Sequence, residues 1–256
     1  MTSLIQNYNT LYDSSKLRMW LDLSTYCNAK CPQCHRTNAD GLGKVDWLPL
    51  VQWTYDQFVK MFSVKHLQRI EHFDICGTWG DPIMNKDIFK IVEYIIKNTE
   101  NTTVLLNTNG SFRNDNWWWE LGLLGKERIK VMWAVEGVTQ EQHSLYRQNT
   151  NLHTVLSNME SFSLAGGISE IFTVVFKHNE NHLFEIAKLV KQHGGRCIMF
   201  IQSNRFYNNM KFDFINELGE SKVLERAEKQ NNSFYGYTFN LHNTEHLERI
   251  KNESIK

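Results

Sequence analysis

The chain is short of several things that would have classified it quickly. It has no excess of either charge, with 28 Lys plus Arg against 28 Asp plus Glu. A dominant nucleic-acid footprint needs a basic surplus or a basic face, so the balance argues against a nucleic-acid partner. No apolar run approaches the roughly 18 residues of a membrane span, so no membrane association is expected. The first twenty residues, MTSLIQNYNTLYDSSKLRMW, lack the basic segment and apolar core of a signal peptide. Expected surroundings are therefore cytoplasmic and reducing, where structural disulfides are rare. Only three prolines occur, Pro32, Pro49 and Pro82, and there is neither an internal repeat nor a low-complexity linker. Five cysteines, an odd count, make a poor disulfide framework.

What is present is a regular alternation. Apolar runs at 18–23, 70–75, 103–107, 129–134, 171–176 and 197–202 read as strands. Helix-period segments lie between them. DIFKIVEYIIKN places Ile88, Ile91, Val92, Ile95 and Ile96 on one face. Thr54 and Gln57 fit a capping box that opens an earlier helix. Asn114–Lys126 reads as a short helix whose three successive tryptophans, Trp117, Trp118 and Trp119, cannot all face one core. Six strand–helix units in about 190 residues are the rhythm of a parallel sheet wrapped by helices. The expected organisation is an N-terminal extension over 1–16, an α/β core over 17–206, and a polar, partly helical C-terminal tail over 207–256. Helix-like pieces are expected in the tail at 217–230 and 244–252.

In parallel α/β folds, chemistry collects at the carboxyl ends of the strands. Here each strand is followed by unusual polar or glycine-bearing residues. The first loop carries Cys27, Cys31 and Cys34 within eight positions, in CNAKCPQC. Then follow CGTWGDP (76–82), NTNG (107–110), VEG (135–137), KHNENH (177–182) and QSNR (202–205). The three cysteines admit a dithiol pair at Cys31 and Cys34, a zinc site completed by His35, or three corners of an iron–sulfur cluster. The cluster suits the C-x3-C-x2-C spacing best, and three thiolates for four irons leave one iron open. Cys76 and Cys197 read as small core residues at or inside strands.

This pattern resembles the radical S-adenosylmethionine (radical SAM) superfamily. CNAKCPQC resembles its cluster-binding loop, and CGTWGDPIMNKD its glycine-rich second-strand motif in the subgroup with Gly-Asp-Pro. NTNG, WAVEGVTQEQHSLYRQNT and the segment 174–195 are similar to later motifs in the same order. The resemblance covers about residues 17–206. It implies a partial TIM-type (β/α)6 barrel without the C-terminal accessory-cluster domain of many relatives. It further implies a 4Fe–4S cluster on Cys27, Cys31 and Cys34, with SAM bound to the open iron. The Gly77, Thr78, Trp79, Gly80 and Asp81 turn is then expected to receive the SAM ammonium, with Asn109, Glu136 and Lys177 as further cofactor contacts and Arg147 as an alternative to Lys177. Asp81, Trp79, Gln33, Ala134 and Glu136 depart from the residues usual in that family. The implied activity is reductive cleavage of SAM to a 5′-deoxyadenosyl radical that takes hydrogen from a substrate, either a peptide or protein or a small metabolite. The implied electron donor is a flavodoxin or ferredoxin. The competing expectation is a non-catalytic iron–sulfur or zinc-binding module on the same barrel.

Overall fold

A computed structural model describes residues 17–229 and 233–255. The expected extension over 1–16 lies outside the described residues. Six strands run in chain order and pair in parallel with their neighbours: β1 (Leu17–Leu21), β2 (Ile70–Ile75), β3 (Thr103–Thr108), β4 (Ile129–Ala134), β5 (Ile168–Val175) and β6 (Gly195–Gln202). A short strand, β9 (Thr238–Asn240), adds antiparallel to β6. Among the described residues the order ends at β1 on one side and β9 on the other, so the sheet is open. This is the α/β architecture expected of a partial (β/α)6 barrel.

Helices cover the outer face. They are α1 (Tyr55–Met61), α2 (Val64–Leu67), α3 (Ile88–Asn98), α4 (Asp115–Gly125), α5 (Gln140–Ser144), α6 (Leu152–Leu164) and α7 (Leu183–Gln192). The capping box opens α1 as expected, with Thr54 Oγ1 accepting from Gln57 N at 3.2 Å and Gln57 Oε1 from Thr54 N at 2.9 Å. The stripe Ile88, Ile91, Val92, Ile95 of α3 is fully buried against Phe73, Ile75, Val104 and Leu106 of the sheet. In α4 the three tryptophans separate as their spacing demands. Trp118 is buried on Trp133, Trp117 is half-buried, and Trp119 is exposed. Because strand side chains alternate, the residues between these core positions face inward. Asp74, Asn107, Met132, Phe172 and Met199 are accordingly only half-buried.

The segment after Phe206 differs from expectation. Its second half is helical, as α8 (Thr244–Ile255), which packs beside α7. The stretch expected as a helix at 217–230 instead supplies β8 (Ser221–Glu225), paired antiparallel with β7 (Lys211–Ile215). Gly219, at φ +77°, closes the hairpin turn, a conformation that favours glycine. The hairpin is held because Phe214 and Leu224 bury themselves in a second apolar cluster with Cys31, Leu42, Tyr146 and Phe176. It therefore roofs the three-cysteine loop. Among the described residues, no helix is long and apolar enough to cross a membrane.

Candidate cluster and cofactor site

The loop leaving β1 is a closed excursion. Thr25 N bonds Val51 O at 2.9 Å and Trp53 N bonds Leu23 O at 3.0 Å, so the loop returns beside its own start. Within it, Cys34 N bonds Cys31 O at 3.0 Å and Thr37 N bonds Cys34 O at 2.9 Å, two tight turns that keep the cysteines together. Loops from the next three strands clasp this excursion. Asp81 N donates to Tyr26 O at 2.7 Å, Asn28 Nδ2 to Ser111 O at 3.3 Å, and Lys30 N to Gln148 O at 2.9 Å. Asn149 Nδ2 donates to Asn28 O at 2.7 Å. The hairpin adds an ion pair between Lys30 and Glu217.

All five cysteines are free thiols. Cys31 is buried and Cys27 and Cys34 are half-buried. Burial pushes the Cys31 thiol up to about 11, opposed by the neighbouring Arg147 guanidinium. The Cys27 thiol is raised by burial first and by the Asp81 carboxylate second. Each of the two also faces another loop thiol: Cys27 is raised by Cys31, and Cys31 by Cys34. Donors converge on the sulfurs, Asn109 Nδ2 lying 3.8 Å from Cys27 Sγ and Arg147 Nη1 lying 3.6 Å from Cys31 Sγ. Among the described residues, no three Cys, His, Asp or Glu side chains meet as they would around one ion. His35 is exposed and leans on Trp79, with ring centroids 6.4 Å apart. Thiols that neighbour one another, with hydrogen-bond donors aimed at sulfur, are a donor set that fits a multi-iron cluster, whose ligands each take a different iron. Beside Cys34 opens a cavity of about 250 Å³ lined by Gln33, Arg205, Tyr207 and Phe212. The buried Gln33 amide lines it, with Nε2 lacking a partner while Oε1 accepts from Ser203 Oγ at 2.7 Å.

The turn after β2 is docked by backbone contact. Asp22 Oδ1 accepts from Thr78 N at 3.0 Å and Trp79 N at 3.4 Å. Gly80 is buried against the cysteine loop, and a Cβ there would overlap Ser24 O and lie 2.7 Å from Thr25 Cα. Asp81 is buried, and its carboxylate is the hub of the region. Oδ2 accepts from Asn109 N at 2.8 Å, Asn109 Nδ2 at 2.6 Å and Thr108 Oγ1 at 3.0 Å, and Oδ1 accepts from Ile83 N at 3.2 Å. Burial still pushes its carboxyl up to about 6, against those bonds. Asn109 thus turns its amide toward Asp81, Cys27 and Asn28.

Glu136 and Lys177 are both engaged within the protein. Glu136 is fully buried, and Arg147 grips it through Nε to Oε2 at 2.8 Å and Nη2 to Oε1 at 2.7 Å. Lys177 is drawn to Glu180 at 2.9 Å and Glu228 at 2.6 Å. Asn179 is buried structure, capping its own turn and donating to Glu136 O at 2.9 Å. Cys76 is half-buried on the inner face, where burial pushes its thiol up to about 12, and Cys197 is half-buried in β6.

Sequence reading missed three residues that build the mouth. Arg36 is buried and bridges two loops, donating to Thr25 O at 3.1 Å and Trp79 O at 3.3 Å. Asn85 is fully buried, and its Nδ2 donates to Leu23 O at 2.7 Å and Trp53 O at 2.9 Å. Asn28 joins the cysteine loop to the loops after β3 and α5. Asn28 and Asn85 lie inside CNAKCPQC and CGTWGDPIMNKD, and Arg36 closely follows Cys34, the one signal that marked them.

No protein-family model matches the sequence, and no curated protein matches it either. Solved structures do. SuiB of Streptococcus suis, bound to the precursor peptide SuiA, superposes with TM-score 0.59 at 13% identity, over 79% of this chain and 42% of that one. SuiB bound to S-adenosylmethionine gives TM-score 0.59 at 12% identity, over 78% of this chain and 43% of that one. The anSMEcpe structure with bound AdoMet gives TM-score 0.56 at 19% identity, over 73% of this chain and 51% of that one. This chain spans about half the length of these structures or less, and the likeness shows a shared fold.

Proposed function

We propose that this chain is a radical SAM enzyme in which Cys27, Cys31 and Cys34 hold a 4Fe–4S cluster. The observation that carries the reading is the clasp: three neighbouring thiols on one loop, pinned by the strand-end loops after β2, β3 and β4 and met by donors at 3.8 and 3.6 Å. Structures of the same fold that contain SAM support it. Loaded, reduced by one electron and binding SAM, such a centre would supply cleavage of the SAM carbon–sulfur bond, giving methionine and a 5′-deoxyadenosyl radical able to take hydrogen from a substrate.

The protein's share is binding, orientation and exclusion of water. The three thiols bind the cluster, and the hairpin roof keeps Cys31 dry. The Gly77–Asp81 turn and Asn109 form the wall offered to SAM, with Asp81 fixing the turn from behind. Glu136 acts there through Arg147, and Lys177 ties the loop after β5 to the C-terminal segment. The half-open inner face, with Asp74, Asn107 and Phe172, is the place for substrate, and the peptide bound by SuiB favours a peptide or protein over a small metabolite. We assign the catalytic core to residues 17–206, a reducing cytoplasmic setting, and a flavodoxin- or ferredoxin-like electron donor.

Anaerobic reconstitution tests the reading. The expected result is about four irons per chain, and 5′-deoxyadenosine on adding SAM and a reductant. Cys31→Ala should lose the cluster while keeping wild-type helix content. Stoichiometric zinc in place of iron, or a cluster that never cleaves SAM, would overturn the enzyme and leave a metal-binding module.

A further inference from the structure

The buried ring of contacts behind Cys31 has a direction to it. Arg147 spends two nitrogens on Glu136 and aims the third, Nη1, at Cys31 Sγ, 3.6 Å away. The grip is itself locked. Thr150 Oγ1 donates to Arg147 O at 2.6 Å and must therefore accept from His143 Nε2, 3.0 Å away. His143 Nδ1 is then the acceptor for Glu136 N at 3.3 Å, which closes the ring on the residue that holds Arg147. Nδ1 also lies 3.9 Å from Glu136 Oε2, but this imidazole is fully buried and neutral, so the contact is not an ion pair. Tyr146 backs the guanidinium, with its ring centroid 5.1 Å from Arg147 Cζ. Only a planar fork can take two carboxylate oxygens and still present a donor to a third atom.

We infer that Arg147 is a positioning residue for the cluster, a charge-bearing donor to the Cys31 sulfur whose strength is set by its counter-ion Glu136. The inference rests on the reading of the three-cysteine loop as a cluster site and goes beyond it, since it assigns a pair that controls the electron affinity of the centre. Hydrogen bonds and charge near the ligand sulfurs are levers on a cluster's potential. Gaining an electron makes the centre more negative. A cation at Cys31 therefore favours the reduced form, and a carboxylate behind that cation opposes it. The two residues must pull in opposite directions.

The test uses the full chain reconstituted anaerobically without SAM, so that contacts to SAM play no part. Wild type, R147M, R147K and E136Q are compared by iron content, circular dichroism and a redox titration followed by electron paramagnetic resonance. The expected result is a lower midpoint potential in R147M, a higher one in E136Q, and an intermediate value in R147K, which keeps charge but not the fork. Loss of iron from a folded R147M that R147K restores also supports the assignment. A wild-type potential in R147M, or shifts of the same sign in R147M and E136Q, overturns it. A wild-type chain that takes up no iron overturns the underlying cluster reading, and this inference falls with it.

Discussion

Adding one methyl group at Gly80 should loosen the whole mouth. Its Cβ would overlap the carbonyl oxygen of Ser24 and sit 2.7 Å from Thr25 Cα and 2.8 Å from Ser24 C. Those atoms are backbone, so no side chain can swing away. The turn after β2 or the strand leading to Cys27 must move. Forcing a methyl into a filled space costs about 1–3 kcal/mol. The displacement also stretches the Asp81 N to Tyr26 O bond, now 2.7 Å, whose loss adds roughly 0.5–1.5 kcal/mol. Against this, alanine restricts the unfolded chain and returns about 0.4–1 kcal/mol. The net for G80A is a destabilisation of about 0.5–4 kcal/mol, set against the ~5–15 kcal/mol typical of a folded domain. Gly77 faces milder crowding, with Asn107 O and Gly80 O each 3.1 Å from its Cβ position. Gly43 has nothing within 4 Å. Chemical denaturation should therefore rank the losses G80A, then G77A, then G43A, the last within about 0.5 kcal/mol of wild type. Iron uptake on reconstitution should fall in the same order. A G80A chain as stable as G43A, with full iron uptake, would refute the claim that close backbone approach, rather than an ordinary turn, selects this glycine.

The other expectations probe separate parts of the molecule. Phe214→Ala removes a buried ring from the hairpin roof and should cost about 3 kcal/mol by denaturant unfolding; Cys31 should then react faster with a thiol reagent, and an unchanged rate would mean the hairpin is no roof. Asp81, pushed up to about 6 by burial, stands above its unfolded value near 3.9, so its stabilising contribution is full below about pH 4 and lost as pH rises through about 6. His143, pushed down to about 3 by burial and then by Arg147, does the reverse, and its contribution is full above about pH 6.5 and declines on acidification. The two oppose each other between about pH 4 and 6, so Asp81→Asn should unmask the histidine and make stability fall by up to about 1.4 kcal/mol per unit over that range, relative to wild type. Parallel pH–stability curves for D81N and wild type would show that Asp81 does not titrate there.

The strands were legible where apolar runs end in turn residues. Ile70–Ile75 and Ile129–Ala134 form as read. The fifth strand starts three residues early, at Ile168, because Ser169 and Glu170 find ladder partners on β4 and β6, and a paired backbone tolerates polar side chains. The hairpin was illegible for a related reason. Leu218, Val223, Leu224 and Ala227 are the apolar residues of the stretch expected to be helical. Only Leu224 and Ala227 are buried, and Gly219 turns the chain back on itself. Burial of Phe214 and Leu224 on the cysteine loop outweighs the local preference, and nothing in residues 207–230 announces that surface.

The site divides along the same line. The three cysteines stay near one another in space because one loop with two tight turns carries them all. The partner of Glu136 was not legible in the same way, since a carboxylate after a strand can face solvent, ligand or protein, and here it faces Arg147, brought back by the one-turn helix α5 and held by the ring through His143 and Thr150. Both residues were visible in the sequence, eleven positions apart, as separate candidates for the same cofactor. Their pairing changes the chemistry open to each. Glu136 accepts from Arg147 with both oxygens, and Arg147 spends Nε and Nη2 on Glu136, which leaves Nη1 lying toward Cys31. The mouth of this barrel is thus assembled mainly by loop-to-loop hydrogen bonds and one buried ion pair. Such contacts leave no periodicity behind, so Arg36 and Asn85 look in sequence like ordinary turn and surface residues, and the packing of Gly80 and the pairing of Arg147 could not be read from their positions.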